Sequence, residues 1–179
     1  MWMTKSIIDL DELIDGFFAD PSSLSAGSQP RLVLIVGCVC AGKTHLRRLK
    51  YCRGFVVLDA AEIFLNLPNA RKLPFPGPYE EVLETAGSLI ADRAIQEGRS
   101  IVTEMIGTED GDAGSIALLI QETRKIGYEI DLVGVDAELE VCLERNRSRG
   151  EENISSYYTE GFHQNWLVKA IAKKINCLG

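Results

Sequence analysis

The sequence lacks three features that would place it in a membrane, on nucleic acid or in a disulfide-rich scaffold. No apolar run approaches the roughly 20 residues that a membrane-spanning helix needs, so we expect no membrane association. Lys and Arg number 19 against 26 Asp and Glu, a formal net charge of −7. Such a balance disfavours the wrapping of nucleic acid, and we expect no nucleic-acid partner. The five cysteines are an odd number at irregular spacing, which is typical of a reduced, cytoplasmic protein.

We also expect no secretion signal, and we find no internal repeat and no low-complexity tract. Acidic residues interrupt the first apolar run, which is not the pattern of a signal peptide. With 179 residues, 46% of them hydrophobic, the chain is expected to form one main domain. We assign residues 1–30 to an N-terminal helix, capped by Ser6, and a serine-rich linker, and residues 31–179 to the main domain. Packing of the helix on that domain is favoured over the docking of a partner.

What the sequence does contain is a glycine motif placed between an apolar run and an amphipathic run. The motif comprises Gly37, Cys38, Val39, Cys40, Ala41, Gly42, Lys43 and Thr44. Its spacing is that of the Walker A motif, G-x-x-x-x-G-K-[ST]. Glycines let backbone N–H groups approach a phosphate, and the following helix adds its N-terminus. Lys43 would reach the outer phosphates and the Thr44 hydroxyl would bind Mg²⁺, which predicts the binding of ATP or GTP.

The helix that follows the motif has a short apolar stripe. Leu46 and Leu49 are three residues apart and are predicted to face the sheet. Three basic residues, Arg47, Arg48 and Lys50, are predicted to point outward.

Apolar strands alternate with helices along the rest of the chain. The predicted strands cover residues 32–36, 55–59, 100–104 and 130–135, and the predicted helices cover residues 60–67, 79–97, 116–126, 137–149 and 157–174, besides the helix from Lys43. Residues 175–178 are a candidate for a fifth strand. This alternation predicts an α/β three-layer sandwich, a parallel P-loop NTPase sheet of the nucleotide-kinase type with flanking helices and right-handed crossovers.

Charged residues stand where the predicted strands end. Asp59 and Glu104 each close a strand, and ligands of such sheets bind beyond the carboxyl ends of the strands. Arg145, Arg147 and Arg149 cluster at the end of a later helix. A carboxylate that accepts a proton and arginines that neutralise phosphate charge are the parts that phosphoryl transfer needs. Asp59 also fits an N-cap, and the arginines also fit a solvated helix end.

Three further features bear on the function. No adjacent Asp–Glu pair closes a strand, which favours a kinase over an ATP-hydrolysing motor. The segment 68–78 holds four prolines together with Arg71, and it fits either an acceptor-binding loop or a rigid connection. Cys38 and Cys40 fit as small loop residues, although a thiol near a helix N-terminus can have a lowered pKa and become open to oxidation.

The order of these motifs resembles that of the zeta-toxin family of P-loop kinases. The resemblance is carried by residues 37–44 followed by Leu46 and Arg47, residues 57–59 followed by Phe64, residues 67–69, residues 100–104, residues 127–129 before a strand, Glu144 with Arg145 at the end of a helix, and His163 in a later helix. It covers most of residues 31–170.

The resemblance implies a kinase that phosphorylates a hydroxyl of a small molecule, a sugar nucleotide of the UDP-N-acetylglucosamine type, with ATP or GTP and Mg²⁺. It implies that Lys43 and Thr44 bind phosphate and magnesium, and that Glu104 holds the acceptor beside the loop that contains Arg71. It places Arg145 or Arg149 at the γ-phosphate. It also implies an antitoxin-like protein partner.

One position departs from the family pattern. The family commonly shows Asp-x-Asp after the second strand, and the second acid acts as the base. Here that position is Ala61, followed by Glu62. Either Asp59 or Glu62 then serves as the base, or the acceptor is a nucleoside or another metabolite. A third reading is a nucleotide-binding switch without catalysis.

Overall fold

A four-stranded parallel sheet with helices on both faces forms the centre of the protein. The computed structural model describes residues 8–20, 29–70, 79–106 and 120–148. In chain order its elements are α1 (Leu10–Phe17), β1 (Arg31–Gly37), α2 (Lys43–Lys50), β2 (Val56–Leu58), α3 (Ala60–Leu65), α4 (Glu80–Gln96), β3 (Ile101–Met105), β4 (Glu129–Val135) and α5 (Leu139–Ser148). Residues 120–125, before β4, are also helical.

The strand order, β2-β3-β1-β4, puts the strand before the glycine motif in the middle of the sheet. Each neighbouring pair is parallel, and Ile35 of β1 is in register with Glu104 of β3. The carboxyl ends of β1 and β3 therefore meet at one edge. Because ligands bind at that edge in sheets of this kind, the topology brings the glycine motif and the acidic strand end together.

Alternate residues of β1 are buried against different helices, which makes the fold three layers thick. Leu32 and Leu34 belong to a core that includes Ile14 of α1 and Ile90 of α4. Val33 and Ile35 face the other way, and Val33 belongs to a cluster packed by Leu46 of α2. An apolar strand without polar alternation is what burial on both faces requires. The predicted α/β three-layer sandwich is confirmed.

The residue that caps the N-terminus of α1 differs from the predicted one. Asp9, not Ser6, caps α1, because its Oδ1 accepts hydrogen bonds from the backbone N of Asp11 and Glu12 at 3.1 and 3.2 Å. The predicted Ser6 cap is therefore wrong. The rest of α1 packs into the main core, and Arg93 of α4 contacts Asp15 at 2.6 Å.

Several predicted features lie outside the described residues. They are Arg71, Arg149, His163, the helix over 157–174 and the strand over 175–178. Among the helices that the structure describes, none is long and apolar enough to cross a bilayer.

Candidate active site

The loop between β1 and α2 has the backbone conformation that phosphate binding requires. Cys40 and Gly42 have φ values of 63° and 111°, so the chain enters the left-handed region twice within three residues. Turns of this kind direct backbone N–H groups into a shared concavity that suits anions. α2 starts directly afterwards and has no side-chain cap on its first N–H groups, which leaves them available to a phosphate.

Gly37, the first glycine of the motif, is fixed by the neighbouring strand. A Cβ atom at this position would lie 2.5 Å from the carbonyl oxygen of Val135 and 3.2 Å from the Cβ of Val135. No side chain fits at such a distance from backbone. The motif glycine therefore lets β4 approach the start of the loop, in addition to freeing the loop itself.

Lys43 lies folded over the loop from which it starts. Its Nζ donates to the carbonyl oxygens of Gly37 at 2.7 Å and Cys38 at 2.9 Å. Burial lowers the pKa of Lys43, while Glu104 is the strongest of the charges that oppose this shift. The ammonium group is thus already inside the loop, where it would meet the outer phosphates of a nucleotide.

Thr44 is hydrogen-bonded to the acid that ends the adjacent strand. Its hydroxyl donates to Glu104 Oε2 at 2.8 Å, a contact that the β1–β3 pairing brings about. The Glu104 side chain is only 7% exposed. The structure therefore places Glu104 beside the predicted magnesium ligand. Its predicted contact with an acceptor stays a prediction.

Arg47 is buried, and its predicted outward orientation is wrong. The residue is 5% exposed, whereas Leu49, predicted to face inward, is 66% exposed. Arg47 Nε donates to Glu104 Oε1 at 2.6 Å, and Nη2 donates to Glu62 Oε2 at 2.7 Å. Two carboxylates offset the desolvation that otherwise keeps arginine at the surface. The available signal was spacing, since Arg47 lies one helical turn after Lys43.

Asp59 caps α3 and remains available for a second role. Its Oδ1 accepts a hydrogen bond from the backbone N of Glu62 at 2.9 Å, as the N-cap interpretation predicted. Within the described part of the chain its other oxygen has no hydrogen-bond donor. Burial raises the pKa of Asp59, and the nearby negative charge of Glu104 raises it further. A capping carboxyl with a raised pKa fits proton transfer as well.

Arg145 reaches the loop, while Arg147 does not. Arg145 Nη1 donates to the carbonyl oxygens of Cys40 at 3.1 Å and Ala41 at 3.3 Å. Arg147 instead contacts Glu144 at 3.4 Å on the exposed side of α5. Of the two arginines in the described part of the cluster, only Arg145 is therefore placed at the phosphate loop.

An open cavity of about 690 Å³ lies beside the loop. It is lined by Cys40, Ala41, Gly42, His45, Leu46, Gly134, Val135, Asp136 and Arg145. Asp136 was missed in the sequence, although it directly follows the predicted strand over residues 130–135. The rule that found Asp59 and Glu104, a carboxylate at the end of a predicted strand, would have found it too.

The loop cysteines have an apolar environment rather than a reactive one. Cys38 and Cys40 are buried together with Cys142 of α5. Burial raises the pKa of Cys38 to about 12, so its thiol stays protonated at neutral pH. This agrees with the prediction that the cysteines are small loop residues, whereas the alternative of a lowered thiol pKa is opposite in direction to the shift at Cys38.

Solved structures of other proteins share this fold. No protein-family model matches the chain, and no curated protein matches it. The AvrRxo1-ORF1:-ORF2 complex with ATP is 18% identical, has a TM-score of 0.57, and is matched over 80% of this chain and 49% of that one. The PezAT chromosomal toxin–antitoxin system of Streptococcus pneumoniae is 16% identical, with a TM-score of 0.53 and coverage of 78% and 60%.

The Pnkp1/Rnl/Hen1 RNA repair complex is 13% identical, with a TM-score of 0.61 and coverage of 85% and 47%. The chain has a zeta-toxin-like P-loop kinase fold. It spans about half the length of the matched chains in the AvrRxo1-ORF1 structures and in the RNA repair complex. At these identities the likeness concerns the fold, and it confirms both the predicted resemblance and the predicted class of sheet.

Proposed function

We propose that this protein is a P-loop kinase that transfers the γ-phosphoryl group of ATP or GTP to the hydroxyl of a small molecule. The observation that carries the proposal is the meeting of three groups at one sheet edge. Lys43 lies in the loop, Thr44 is bonded to Glu104, and the Asp59 carboxyl lies nearby at the end of β2. A nucleotide-binding loop beside a carboxylate that can accept the proton of a hydroxyl is an arrangement that phosphoryl transfer uses.

Oxygen donors at the end of β3 fit a magnesium ion. The Thr44 hydroxyl and the Glu104 carboxylate are hard ligands of the kind that Mg²⁺ prefers. Among the described residues no cluster of three or more His, Cys, Asp or Glu side chains forms a metal site. This agrees with an ion held jointly by protein and nucleotide phosphates. When bound, Mg²⁺ would neutralise charge on the phosphates.

The chain's own groups account for the remaining steps. Backbone N–H groups of the loop and Lys43 hold the phosphates. Arg145, whose Nη1 donates to the Cys40 carbonyl oxygen of the loop at 3.1 Å, would neutralise negative charge on the transferred group. The acceptor oxygen forms a bond to the γ-phosphorus, and the bond from that phosphorus to the bridging oxygen of the nucleoside diphosphate breaks. Asp59 takes the hydroxyl proton, because Glu62 is held by Arg47. Asp59 is therefore preferred to Glu62 as the base.

The acceptor is proposed from fold and resemblance together. A sugar nucleotide of the UDP-N-acetylglucosamine type comes first, and a nucleoside or another metabolite comes second. Glu104 and Arg71 are proposed to contact it. Because the matched PezAT structure is described as a toxin–antitoxin system, a partner of the antitoxin type is proposed as well. Expression of the wild-type chain should then arrest bacterial growth, and expression of Lys43→Ala should not.

A transfer assay with γ-labelled ATP tests the function. The panel contains UDP-N-acetylglucosamine, a set of nucleosides, a set of simple alcohols and an RNA with a 5′-hydroxyl. Label in the sugar nucleotide supports the first acceptor, and label in a nucleoside or alcohol supports the second. Label in the RNA would replace both with a polynucleotide acceptor. Tight nucleotide binding with label in none of the four classes would favour the non-catalytic switch. Lys43→Ala is the background control.

A further inference from the structure

Arg47 is a buried charge for which nucleotide binding by the loop gives no direct reason. Its side chain is 6% exposed, whereas Arg48, the next residue of the same helix, is exposed. A buried guanidinium persists only where its hydrogen bonds and charge are satisfied. Both partners of Arg47, Glu62 and Glu104, belong to the site.

Glu104 is held from both sides. Its Oε1 accepts from Arg47 Nε at 2.6 Å, and its Oε2 accepts from the Thr44 hydroxyl at 2.8 Å. A carboxylate with one donor on each oxygen cannot rotate without losing both bonds. Since Thr44 gives its proton to Glu104, the lone pairs of the hydroxyl oxygen stay available to a cation. The orientation of Thr44 therefore depends on Glu104, and that of Glu104 depends on Arg47.

A second nitrogen of the Arg47 guanidinium contacts a third element of secondary structure, α3. Arg47 Nη2 donates to Glu62 Oε2 at 2.7 Å, so one side chain links α2, β3 and α3. The site contains three carboxylates, Asp59, Glu62 and Glu104. Among the described residues, Lys43 and Arg47 are cations whose charges act on these carboxylates. Without Arg47 the repulsion between the carboxylates would be less compensated, which would weaken the contact of Glu104 with Thr44.

We propose that Arg47 is a positioning residue that holds Glu104 against Thr44 and so prepares the threonine hydroxyl to bind Mg²⁺. The inference rests on the proposed function, because it requires that Thr44 contacts the magnesium of a bound nucleotide. Groups that orient metal ligands in this way contribute substantially to metal affinity. Arginine suits this position because its planar fork reaches two carboxylates at once, which the single ammonium of lysine cannot do in the same geometry.

Magnesium-dependent binding of ADP, measured by calorimetry, tests the proposal without relying on turnover. At a fixed ADP concentration, Mg²⁺ is titrated and the concentration that gives half of the maximal tightening is recorded. For Arg47→Met we expect this midpoint to rise roughly 10- to 100-fold, as for other residues that orient metal ligands. ADP affinity in the presence of a chelator should change by less than about threefold. Arg47→Lys should give a smaller rise, because it keeps the charge.

Two arginine variants serve as controls. Arg48→Met changes the neighbouring exposed residue of α2. Arg99→Met removes another buried arginine, which does not belong to the loop and whose Nε lies 2.8 Å from Glu97 Oε2. Both should keep the wild-type Mg²⁺ midpoint. Arg99→Met also shows how much a general loss of stability changes ADP binding.

The outcomes separate the inference from the proposed function. Wild-type protein that binds no ADP, or binds it without regard to Mg²⁺, contradicts the proposed function. Wild-type dependence on Mg²⁺ with an unchanged midpoint in Arg47→Met overturns the inference alone. So does an equal loss of affinity with Mg²⁺ and with chelator.

If thermal unfolding shows that Arg47→Met does not fold, Arg47→Lys and Glu104→Gln decide. Their midpoint shifts should combine non-additively in the double variant, because both act through the same carboxylate. Additive shifts would contradict the inference.

Discussion

Replacing Asp59 with asparagine should remove catalysis while leaving the fold as stable as before, or more stable. Asp59 Oδ1 caps α3 through the backbone N of Glu62 at 2.9 Å. Asparagine caps helices about as well as aspartate does, so Asp59→Asn keeps this contact. What it removes is a negative charge that lies near Glu104 in a half-buried position.

The direction of the stability change follows from the pKa. Burial, with Glu104, raises the pKa of Asp59 in the folded protein. The folded state therefore holds the proton more tightly than the unfolded chain does. Stability is lost as pH rises from the unfolded value, about 3.9, through the raised folded value. Asparagine does not titrate. Relative to wild type, Asp59→Asn should gain stability across that window and keep the gain at pH 8.

Comparison with Asp59→Ala gives the free energy that the N-cap contributes, because this variant removes the charge and the cap together, whereas Asp59→Asn removes only the charge. Loss of an N-cap costs about 1 kcal/mol, within a range of about 0.5 to 2. The alanine variant should therefore be less stable than the asparagine variant by about that amount. For a chain of this size, 1 kcal/mol corresponds to roughly 2–4 °C in Tm. Urea and thermal unfolding at pH 4 and pH 8 measure both comparisons.

In contrast to stability, the rate of phosphoryl transfer should fall in Asp59→Asn. Removing a general base lowers the rate by about 10²- to 10⁴-fold, so Asp59→Asn should lose transfer and keep its affinity for nucleotide. Glu62→Gln should lose less, because Glu62 is engaged by Arg47. Wild-type turnover in Asp59→Asn would refute the assignment of the base. An asparagine variant less stable than the alanine variant at pH 8 would refute the reasoning about the cap.

Four further substitutions, with Lys125→Ala as a control for the first, test the loop, α1 and the core. Lys43→Ala should lower transfer by at least about 10²-fold in the labelled-ATP assay, whereas Lys125→Ala, at an exposed ion pair, should not change it. Gly37→Ala should cost about 1–3 kcal/mol in urea unfolding and weaken ADP binding, since its Cβ would lie 2.5 Å from the Val135 carbonyl oxygen. Gly16→Ala, in a helix with open space around it, should stabilise by about 0.5–1 kcal/mol. Ile90→Ala, at a fully buried core position, should cost about 2–5 kcal/mol while the folded fraction binds ADP normally.

The sheet could be predicted because most residues of its strands are apolar and a glycine stands near an end of each strand. β1 was predicted over residues 32–36 and occupies Arg31–Gly37, and β4 was predicted over 130–135 and occupies Glu129–Val135. β2 is shorter than predicted, at Val56–Leu58, since Asp59 leaves the strand to cap α3. Strand ends are thus set by side-chain contacts that periodicity does not contain.

Arg47 shows where a pattern of hydrophobicity misleads. A helical stripe drawn through Leu46 and Leu49 puts arginine on the outer side, yet Leu49 is exposed and Arg47 is buried. The carboxylates that stabilise the buried arginine are 15 and 57 residues away in sequence. No local window contains them, so tertiary ion pairing overrides the local pattern.

The contacts of Arg47 with Glu62 and Glu104 change the interpretation of Ala61. In the sequence it indicated a missing base. In the structure, Glu62, the acid next to Ala61, is joined to Arg47, and Glu104 is joined to Arg47 and Thr44. Asp59 is the acid of this group that no arginine in the described part of the chain contacts, and its pKa is raised. When neighbouring carboxyl groups have different environments, their pKa values differ, and one of them can act as a base while the others keep structural roles. Loss of an acid at position 61 therefore leaves a candidate base in place.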